Sequence, residues 1–527
     1  MTANPLSAHP EQSSILSITG EIVGPQLRKP WKNAIAVGRA YELLRRDVLD
    51  HLRFLQHKIG YRGCRFHGLF HDEMTVVSRL PDGTLAFRWH QIDKIFDSLL
   101  ELGLRPFVEL NAMPVALASG TDTMFDWRMN ITPPRDYSEW GQLVEAFARH
   151  VVDRYGLEEV SGWYFEVWNE PNLSGFWTGT KEEYWMLYKA SAQALKKVSG
   201  RLRVGGPASS KASWIQDIID YTSGQGVPLD FISTHLYPQD EYVTFPDREG
   251  SPHAPGDFFG ETVREVQRTV LASRRPDLEI HWTEWNSLSA PSTAAISWVH
   301  NTTVDSIFGA ALICKNCVEL DGACDTFCWW VASDIFEECG LPHSEYSGTY
   351  GLMTINGIPK ATFHAFEFLN RLRGERLATS SDIPLPPGCG WVATRETETI
   401  QILLWHQILP EFPNQTGWRG HLNLPALSES PVLIETRIGA GHGSAWETWK
   451  DLGSPQTLSK EEMRLLRAHA QPECMLHHVH NGTWGFSLSP GEVVLLELRP
   501  RGAAALPKSG LRRELLEWER KMGETSR

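Results

Sequence analysis

Residues 163–173 read WYFEVWNEPNL, and this stretch decides the fold class. It begins as an apolar, aromatic-rich run, which is typical of a parallel strand covered on both faces, and it ends abruptly in polar residues. Because Pro171 has no backbone N–H for a sheet ladder, we expect the strand to end at Asn169 or Glu170. An amide and a carboxylate at the C-terminal end of a buried strand are typical of the active site of a (β/α)8 barrel.

A second segment has the same form. Residues 279–286 read EIHWTEWN, so Glu284 lies at the end of another apolar strand. Counted along the chain, the two segments are the fourth and seventh strands of a strand–helix alternation that begins near residue 33. Strands four and seven of a closed eight-stranded barrel face each other across its mouth. We therefore expect the carboxylates of Glu170 and Glu284 to lie about 5 Å apart.

The sequence predicts an α/β protein in three parts. Residues 24–375 alternate strands and helices, which predicts a (β/α)8 TIM barrel with long loops. Residues 376–505 carry short alternating apolar runs between turns and, together with residues 15–23, predict an accessory antiparallel β-sandwich. Residues 506–527 have apolar side chains at helical spacing and predict a C-terminal amphipathic helix. Whether the sandwich shapes the active-site rim or only stabilises the barrel is left open.

Composition and charge narrow the choice of partners. The formal net charge of −14 disfavours a surface that binds nucleic acid. The polar residues 1–14 have neither the basic start nor the apolar run of a secretory signal, and no segment approaches the roughly 20 apolar residues of a membrane span. The sequence therefore predicts a cytoplasmic protein without a nucleic-acid or membrane partner. The 21 Trp residues suit a carbohydrate site, although core packing explains most Trp in any protein.

Two sets of residues have spacings that resemble those of metal ligands. Four cysteines have a spacing that invites a zinc interpretation, but the first pair sits in a helical pattern and the second flanks a strand, so we predict buried free thiols: Cys314, Cys317, Cys324 and Cys328. His67 and His71 are four residues apart, but Gly68 breaks any helix between them. We predict no metal and no organic cofactor.

The two strand-end carboxylates suit glycoside hydrolysis. A single buried Glu is more often part of a structural ion pair, but two at matched strand ends among Trp residues favour a shared site. Such a reaction needs one carboxyl group to protonate the leaving oxygen and one to meet the developing oxocarbenium ion. We predict that Glu170 is the acid/base, with its pKa kept high by burial and by the neighbouring carboxylate, and that Glu284 is the nucleophile. A separation of about 5 Å leaves no room for an intervening water and predicts retention of configuration.

Three further residues are expected near this pair. Asn169 can hydrogen-bond a substrate hydroxyl. His235 and Tyr237 alternate on the predicted sixth strand and so face the same side. We expect both of them to donate hydrogen bonds that hold Glu284 ionised.

These motifs together resemble glycoside hydrolase family 39, the β-xylosidases and α-L-iduronidases, and most of all its bacterial β-xylosidases. The similarity covers most of residues 15–500. It is carried by WNEPN at 168–172, TEWN at 283–286, RFHGLF at 65–70, RPFVEL at 105–110, FISTHLYP at 231–238, SDIFEE at 333–338, YGLM at 350–353, GIPK at 357–360 and, in the sandwich, GSAW at 443–446. The departures, WWVA at 329–332 and NA at 111–112, bear on substrate detail more than on reaction class.

The resemblance implies catalytic roles for Glu170 and Glu284 and a set of sugar contacts: His67, Asn169, His235, Tyr237, Trp330 and one of Glu337 and Glu338. Counting from Trp330 favours Glu338. From the pattern alone, Trp330 fits a barrel-filling aromatic as well as it fits a sugar platform.

We therefore expect a retaining exo-glycoside hydrolase, a β-xylosidase that releases xylose from the non-reducing end of short xylo-oligosaccharides. The partner is a small oligosaccharide, and the chain is expected to be a monomer. Two alternatives stay open. One is an α-L-iduronidase or another β-glycosidase of the same family, although the net charge of −14 disfavours a uronide substrate. The other is a carbohydrate-binding protein that has lost its catalysis.

Overall fold

The computed structural model describes residues 13–238, 240, 257–287, 304–338, 340–409, 415–425, 431–479 and 482–500. The predicted C-terminal helix at 506–527 lies outside these residues. Within the described ranges, no helix combines the length and the apolar composition needed to cross a bilayer.

The strands up to residue 329 are, in chain order, β1 (Ser13–Gly24), β2 (Ile35–Arg39), β3 (Gly63–His67), β4 (Val77–Arg79), β5 (Leu85–Phe87), β6 (Arg105–Leu110), β7 (Thr123–Met124), β8 (Met129–Asn130), β9 (Tyr164–Val167), β10 (Arg203–Ser209), β11 (Phe231–His235), β12 (Glu279–Trp285) and β13 (Thr326–Trp329). The later strands are β14 (Glu375–Ser381), β15 (Cys389–Glu396), β16 (Thr399–His406), β17 (Trp418–Asn423), β18 (Val432–Ile438), β19 (Glu473–His478), β20 (Thr483–Leu488) and β21 (Val493–Arg499).

The α-helices of the described residues are α1 (Arg46–Lys58), α2 (His90–Glu101), α3 (Tyr137–Tyr155), α4 (Leu157–Val160), α5 (Lys181–Val198), α6 (Ile215–Gln225), α7 (Phe258–Ala272), α8 (Phe308–Glu319), α9 (Ala361–Arg371), α10 (Trp446–Asp451) and α11 (Lys460–His469). Helix α5 shows how local sequence sets such bounds. Thr180 and Glu183 form a reciprocal capping box at its start, and Lys196 and Lys197 lie in its last turn, where cations favour the helix dipole.

Eight of the strands close a barrel in the order β10-β11-β12-β13-β2-β3-β6-β9, and every pairing within it is parallel. Helices follow most of these strands and cover the barrel, as the alternation of residues 24–375 predicts. The (β/α)8 fold class is confirmed. Glu170 follows β9, the fourth barrel strand, and Glu284 lies near the end of β12, the seventh.

The end of the fourth barrel strand differs from the prediction. Strand β9 ends at Val167 rather than at Asn169 or Glu170. The reason is the backbone: Trp168 and Glu170 take left-handed conformations, with φ of 69° and 44°, which no strand ladder accommodates. Such conformations cost on the order of 1–3 kcal/mol each and cluster at functional sites.

The accessory unit is a nine-stranded sheet in the order β19-β18-β21-β16-β15-β14-β1-β17-β20. Strand β1 sits inside this sheet, next to β14, as the grouping of residues 15–23 with the C-terminal part predicts. One pairing, between β1 and β17, is parallel, so the sheet is mixed rather than wholly antiparallel. Apolar residues from both ends of the strand order share one core, so the sheet folds around itself: Leu16, Leu422, Leu433 and Leu496 belong to it. The exact limits 24–375, 15–23 and 376–505 stay a prediction.

The sheet and the barrel share one apolar interface. Strands β16 and β21 of the sheet lie against helices α8 and α9 of the barrel. Leu403 and Val493 from these strands belong to the same buried cluster as Phe366 of α9. Helix α10 and helix α11, which connect β18 to β19, pack on Tyr346 and Ile358, which lie in the segment that follows β13.

A buried ion cluster holds the segment after β13. The ammonium group of Lys360 is fully buried and lies 2.6 Å from Asp305 and 2.7 Å from Asp334. Asp334 in turn accepts a hydrogen bond from the backbone N–H of Gly351, and Asp305 accepts one from that of Gly348. Removing one member of such a cluster leaves the others as buried, uncompensated charges.

We expect Lys360→Met to lower the free energy of unfolding by about 3–5 kcal/mol, because Asp305 and Asp334 lose their common cation. The matched control is Lys197→Met. Lys197 pairs with Glu145 on the surface with its side chain 65% exposed, and the loss of such a pair costs at most about 1 kcal/mol. Urea unfolding followed by Trp fluorescence checks both variants. Equal, small shifts of the two transitions would contradict this account of the cluster.

Candidate active site

The structure brings Glu170 and Glu284 together at the C-terminal end of the barrel. A carboxylate oxygen of each, together with a ring nitrogen of His235, lies within 4.8 Å of the others. Both Glu side chains are nearly buried, with residue exposures of 6% and 4%. The separation agrees with the predicted value of about 5 Å and with the spacing that retaining glycosidases need for direct attack.

Glu170 sits where its neutral form is favoured. Burial raises its pKa to about 7, against the opposing influence of a Ser210 hydrogen bond and of the charges of His67, Arg65 and Lys211. Its Oε1 lies 3.0 Å from Nδ1 of His235. The direction of this shift and burial as its main cause agree with the prediction, whereas the neighbouring carboxylate, which was also expected to raise the pKa, is not among the main causes. A carboxyl group that is half protonated near neutral pH is suited to give and then take a proton.

Glu284 has the opposite surroundings. Its Oε1 accepts a hydrogen bond of 2.8 Å from Nη1 of Arg65, and its Oε2 accepts one of 2.8 Å from the Tyr237 hydroxyl. The expected contact with Tyr237 is therefore present. The expected hydrogen bond from His235 is not: Nδ1 of His235 lies 3.7 Å from Glu284 and bonds Glu170 instead. Glu170 has a left-handed backbone conformation, and its carboxyl group lies beside His235 of strand β11.

Arg65, on β3, is a central residue of the site. Sequence reasoning missed this role, and the residue appears above only within the motif RFHGLF at 65–70. Its guanidinium is completely buried and contacts four side chains, Glu166 through Nε at 2.7 Å, Glu284 through Nη1 at 2.8 Å, and Asn169 and Glu109 through Nη2 at 2.9 and 2.7 Å. Burial works against the charge, but these carboxylates raise the pKa of Arg65 well above its usual value. The sequence contains one indication of this role: Arg65 lies within an apolar strand, where a charged residue needs a buried partner.

Asn169 and His67 are both oriented by buried polar neighbours. Oδ1 of Asn169 accepts from Arg65, so its Nδ2 is free to donate elsewhere. Nδ1 of His67 lies 2.8 Å from Oε2 of Glu109, and its Nε2 lies 3.6 Å from Oε1 of Glu284. Burial lowers the pKa of His67 to about 4, so the ring is neutral near pH 7.

The remaining predicted contacts lie around the same centre. The Trp330 ring is 4.6 Å from that of His67 and is 2% exposed, which leaves both roles considered for it open. Glu337 pairs with Arg39 and Arg45, and so points away from the carboxylate pair. Glu338, by contrast, lies close enough to Glu284, Glu42 and Glu170 for their charges, together with burial, to raise its pKa. This supports the choice of Glu338, which stays a prediction.

The three atoms of Glu170, His235 and Glu284 are also, among the residues that the structure describes, the one group close enough together to hold a metal ion. The guanidinium of Arg65 lies 2.8 Å from Glu284 and would repel a divalent cation there. The cysteines considered for zinc, at 314, 317, 324 and 328, are free and buried. The arrangement is thus suited to acid–base and nucleophilic chemistry by two carboxyl groups.

Comparison with known proteins agrees with this geometry. A sequence model of the family described as glycosyl hydrolases family 39 matches residues 15–481. The chain is similar to the beta-xylosidase of Caldicellulosiruptor saccharolyticus, with 38% identity over 461 residues that make up 86% of this chain and 92% of that protein. It is 36% identical to the beta-xylosidase of Geobacillus stearothermophilus over 488 residues, which are 90% of this chain and 93% of that protein.

Among solved structures, the chain is similar to a monomeric beta-xylosidase from Caulobacter crescentus CB15. The two share 29% sequence identity with a TM-score of 0.79, and the match covers 92% of this chain and 99% of that chain. A family match over most of the chain, relatives above 30% identity across nearly their whole length, and a barrel with two carboxylates at strands four and seven lead to one conclusion. The protein belongs to glycoside hydrolase family 39.

Proposed function

We propose that the protein is an exo-acting, retaining β-xylosidase that releases xylose from the non-reducing end of short xylo-oligosaccharides. The observation that carries this proposal is the pair Glu170 and Glu284, held within 4.8 Å in different surroundings. The similarity to two bacterial beta-xylosidases over most of their length supports the choice of substrate.

In the first step, Glu170 gives its proton to the glycosidic oxygen as the bond from that oxygen to the anomeric carbon breaks. Glu284 attacks the same carbon and forms a glycosyl–enzyme ester. The two hydrogen bonds from Arg65 and Tyr237 keep the Glu284 carboxylate oriented before attack. The aglycone leaves as an alcohol. The glycosidic C–O bond is replaced by the ester C–O bond, and the O–H bond of Glu170 by that of the alcohol.

In the second step, the ionised Glu170 removes a proton from water, and the resulting hydroxide attacks the anomeric carbon. The ester bond to Glu284 breaks, and xylose leaves with its original anomeric configuration. Asn169 supports both steps, because Arg65 holds its Oδ1 and leaves Nδ2 to donate to a sugar hydroxyl. We assign sugar contacts also to His67, His235, Tyr237, Trp330 and Glu338.

The other family activities differ in the glycone. An α-L-iduronidase needs cations for the substrate carboxylate, and Lys211 is close enough to lower the pKa of Glu170. The similarity to two bacterial beta-xylosidases over most of their length favours a xyloside over a uronide. A monomeric state is supported by the monomeric relative of known structure. The cytoplasmic location stays a prediction from the sequence.

Initial rates on aryl glycosides test the substrate. The panel is β-D-xyloside, α-L-arabinopyranoside, β-D-glucoside, β-D-galactoside and α-L-iduronide. We expect the xyloside to have the highest kcat/KM, because two relatives that match 86% and 90% of this chain are named as beta-xylosidases. NMR of the first-formed sugar should show retention. A preference for the iduronide would overturn the substrate, and no turnover by the folded protein would favour the carbohydrate-binding alternative.

Variants of the two carboxylates test their roles. Glu170→Ala should lower kcat/KM on xylobiose by roughly 10²–10⁴-fold, the usual contribution of a general acid. The loss should be much smaller on a dinitrophenyl xyloside, whose leaving group departs without a proton. Glu284→Ala should lose activity on both substrates, because no ester can form. Glu158→Ala, whose side chain is 90% exposed, is the control and should behave as the parent. Full activity of either catalytic variant would refute its assignment.

The pH dependence follows from the pKa of Glu170, which burial raises to about 7. Only the protonated acid can assist the leaving oxygen, so kcat/KM on xylobiose should fall as the pH rises through about 7. In Glu170→Ala this alkaline limb should disappear, while the low residual rate stays flat. A parent profile with no decline between pH 6 and pH 8 would argue against Glu170 as the acid.

A further inference from the structure

We propose that Thr283 is a positioning residue that fixes the tautomer of His235. In that tautomer, His235 accepts a hydrogen bond from protonated Glu170 and cannot donate one to ionised Glu170. The proposal rests on the function proposed above, in which Glu170 is the acid/base. It adds Glu166 and Thr283 to the residues that determine how that acid works, although neither touches the reacting atoms.

The geometry is an unbroken chain of hydrogen bonds across the barrel interior. The Thr283 hydroxyl donates to Oε1 of Glu166 at 2.8 Å. Nε2 of His235 lies 3.1 Å from Oγ1 of Thr283, and its Nδ1 lies 3.0 Å from Oε1 of Glu170. Glu166, Thr283 and His235 are each 0% exposed, so water does not replace any of these bonds.

The direction of each bond follows from counting protons, beginning at Glu166. Its Oε2 accepts from Nε of Arg65 at 2.7 Å. Burial opposes ionisation of Glu166, but the Arg65 guanidinium and hydrogen bonds from Ser233 and Arg65 lower its pKa, so it is an ionised acceptor. The Thr283 hydroxyl has a single proton and gives it to Glu166. Towards His235 its oxygen can therefore only accept.

The imidazole is thereby left with one arrangement. Nε2 of His235 must carry the proton that Thr283 accepts, and a neutral ring has no second N–H. Burial lowers the pKa of His235 to about 4, which keeps the ring neutral at working pH. Nδ1 is then an acceptor, and its partner at 3.0 Å is Oε1 of Glu170. The protonated Glu170 can donate to it, whereas the ionised Glu170 gains nothing from it.

This arrangement favours the form of Glu170 that the first step needs. The opposite tautomer, with the proton on Nδ1, would donate to the Glu170 carboxylate and stabilise the ionised form. Thr283 prevents this by occupying Nε2. Ser210, which hydrogen-bonds Glu170, and the other charged or titratable groups that act on Glu170 or on His235 are the same in both tautomers. Those groups are Arg65, His67, Glu109, Glu166, Lys211, Tyr237, Asp240, Glu284 and Glu338.

Thr283→Val tests the proposal, because it keeps the shape of the side chain and removes the acceptor. The ring can then place its proton on Nδ1, and we expect the alkaline limb of kcat/KM on xylobiose to move to lower pH by on the order of one unit. Thr283→Ser, which retains the hydroxyl, should restore the parent profile. A merely structural role would lower kcat without moving the limb, and that result would overturn the proposal.

Two further measurements make the outcome decisive. Glu170→Ala separates the two hypotheses. If this variant keeps the alkaline decline of kcat/KM, Glu170 is not the acid and the proposed function is wrong. If it loses the decline but Thr283→Val shows the decline at the parent pH, only the inference about Thr283 fails. Nitrogen NMR of the parent protein labelled with ¹⁵N-histidine, assigned by its difference from His235→Gln, reads the tautomer even if Thr283→Val does not fold. A protonated Nε2 supports the proposal, and a protonated Nδ1 refutes it.

Discussion

The buried guanidinium of Arg65 is the interaction on which the site depends. It lies inside a closed barrel with no exposed surface and bonds side chains from three other segments, Glu109 on β6, Glu166 and Asn169 on and after β9, and Glu284 on β12. Breaking a buried ion pair by removing one partner costs about 3–5 kcal/mol, and here one cation faces several carboxylates. The cation therefore offsets part of the cost of burying these acids inside the barrel.

The same cation distinguishes the two carboxyl groups at the mouth. Glu284 receives a direct hydrogen bond from Arg65 and another from Tyr237, both at 2.8 Å. Glu170 receives no cationic donor at such a distance among the hydrogen bonds of the described residues, and burial is the main influence on its pKa. Two chemically identical groups thereby have different surroundings, as the different roles proposed for them require: Glu284 accepts two hydrogen bonds, and burial favours the neutral form of Glu170.

The fold could be predicted from the sequence because it depends on local patterns. Apolar runs ending in polar residues identified β9 and β12, and the alternation between them placed Glu170 and Glu284 on opposite strands of the barrel. The partners inside the barrel could not be predicted in this way. That His235 bonds Glu170 rather than Glu284 is a matter of three-dimensional geometry, and the hydrogen bonds from Glu166 through Thr283 to His235 form only once β9, β11 and β12 have come together in the barrel. Charged residues within apolar strands were visible in the sequence, but not the bonds between them.

The accessory sheet contacts the segment that follows the last barrel strand. Helices α10 and α11, which belong to the sheet region, pack on Tyr346 and Ile358. These two residues lie in the chain between Glu338, whose pKa the charges of Glu284 and Glu170 help to raise, and Lys360, whose buried ion cluster fixes the end of the same segment. The segment after the last barrel strand is therefore held from the barrel side by charge and from the sheet side by apolar packing. The sheet therefore contributes to holding the segment that carries Glu338, in addition to packing on the barrel helices.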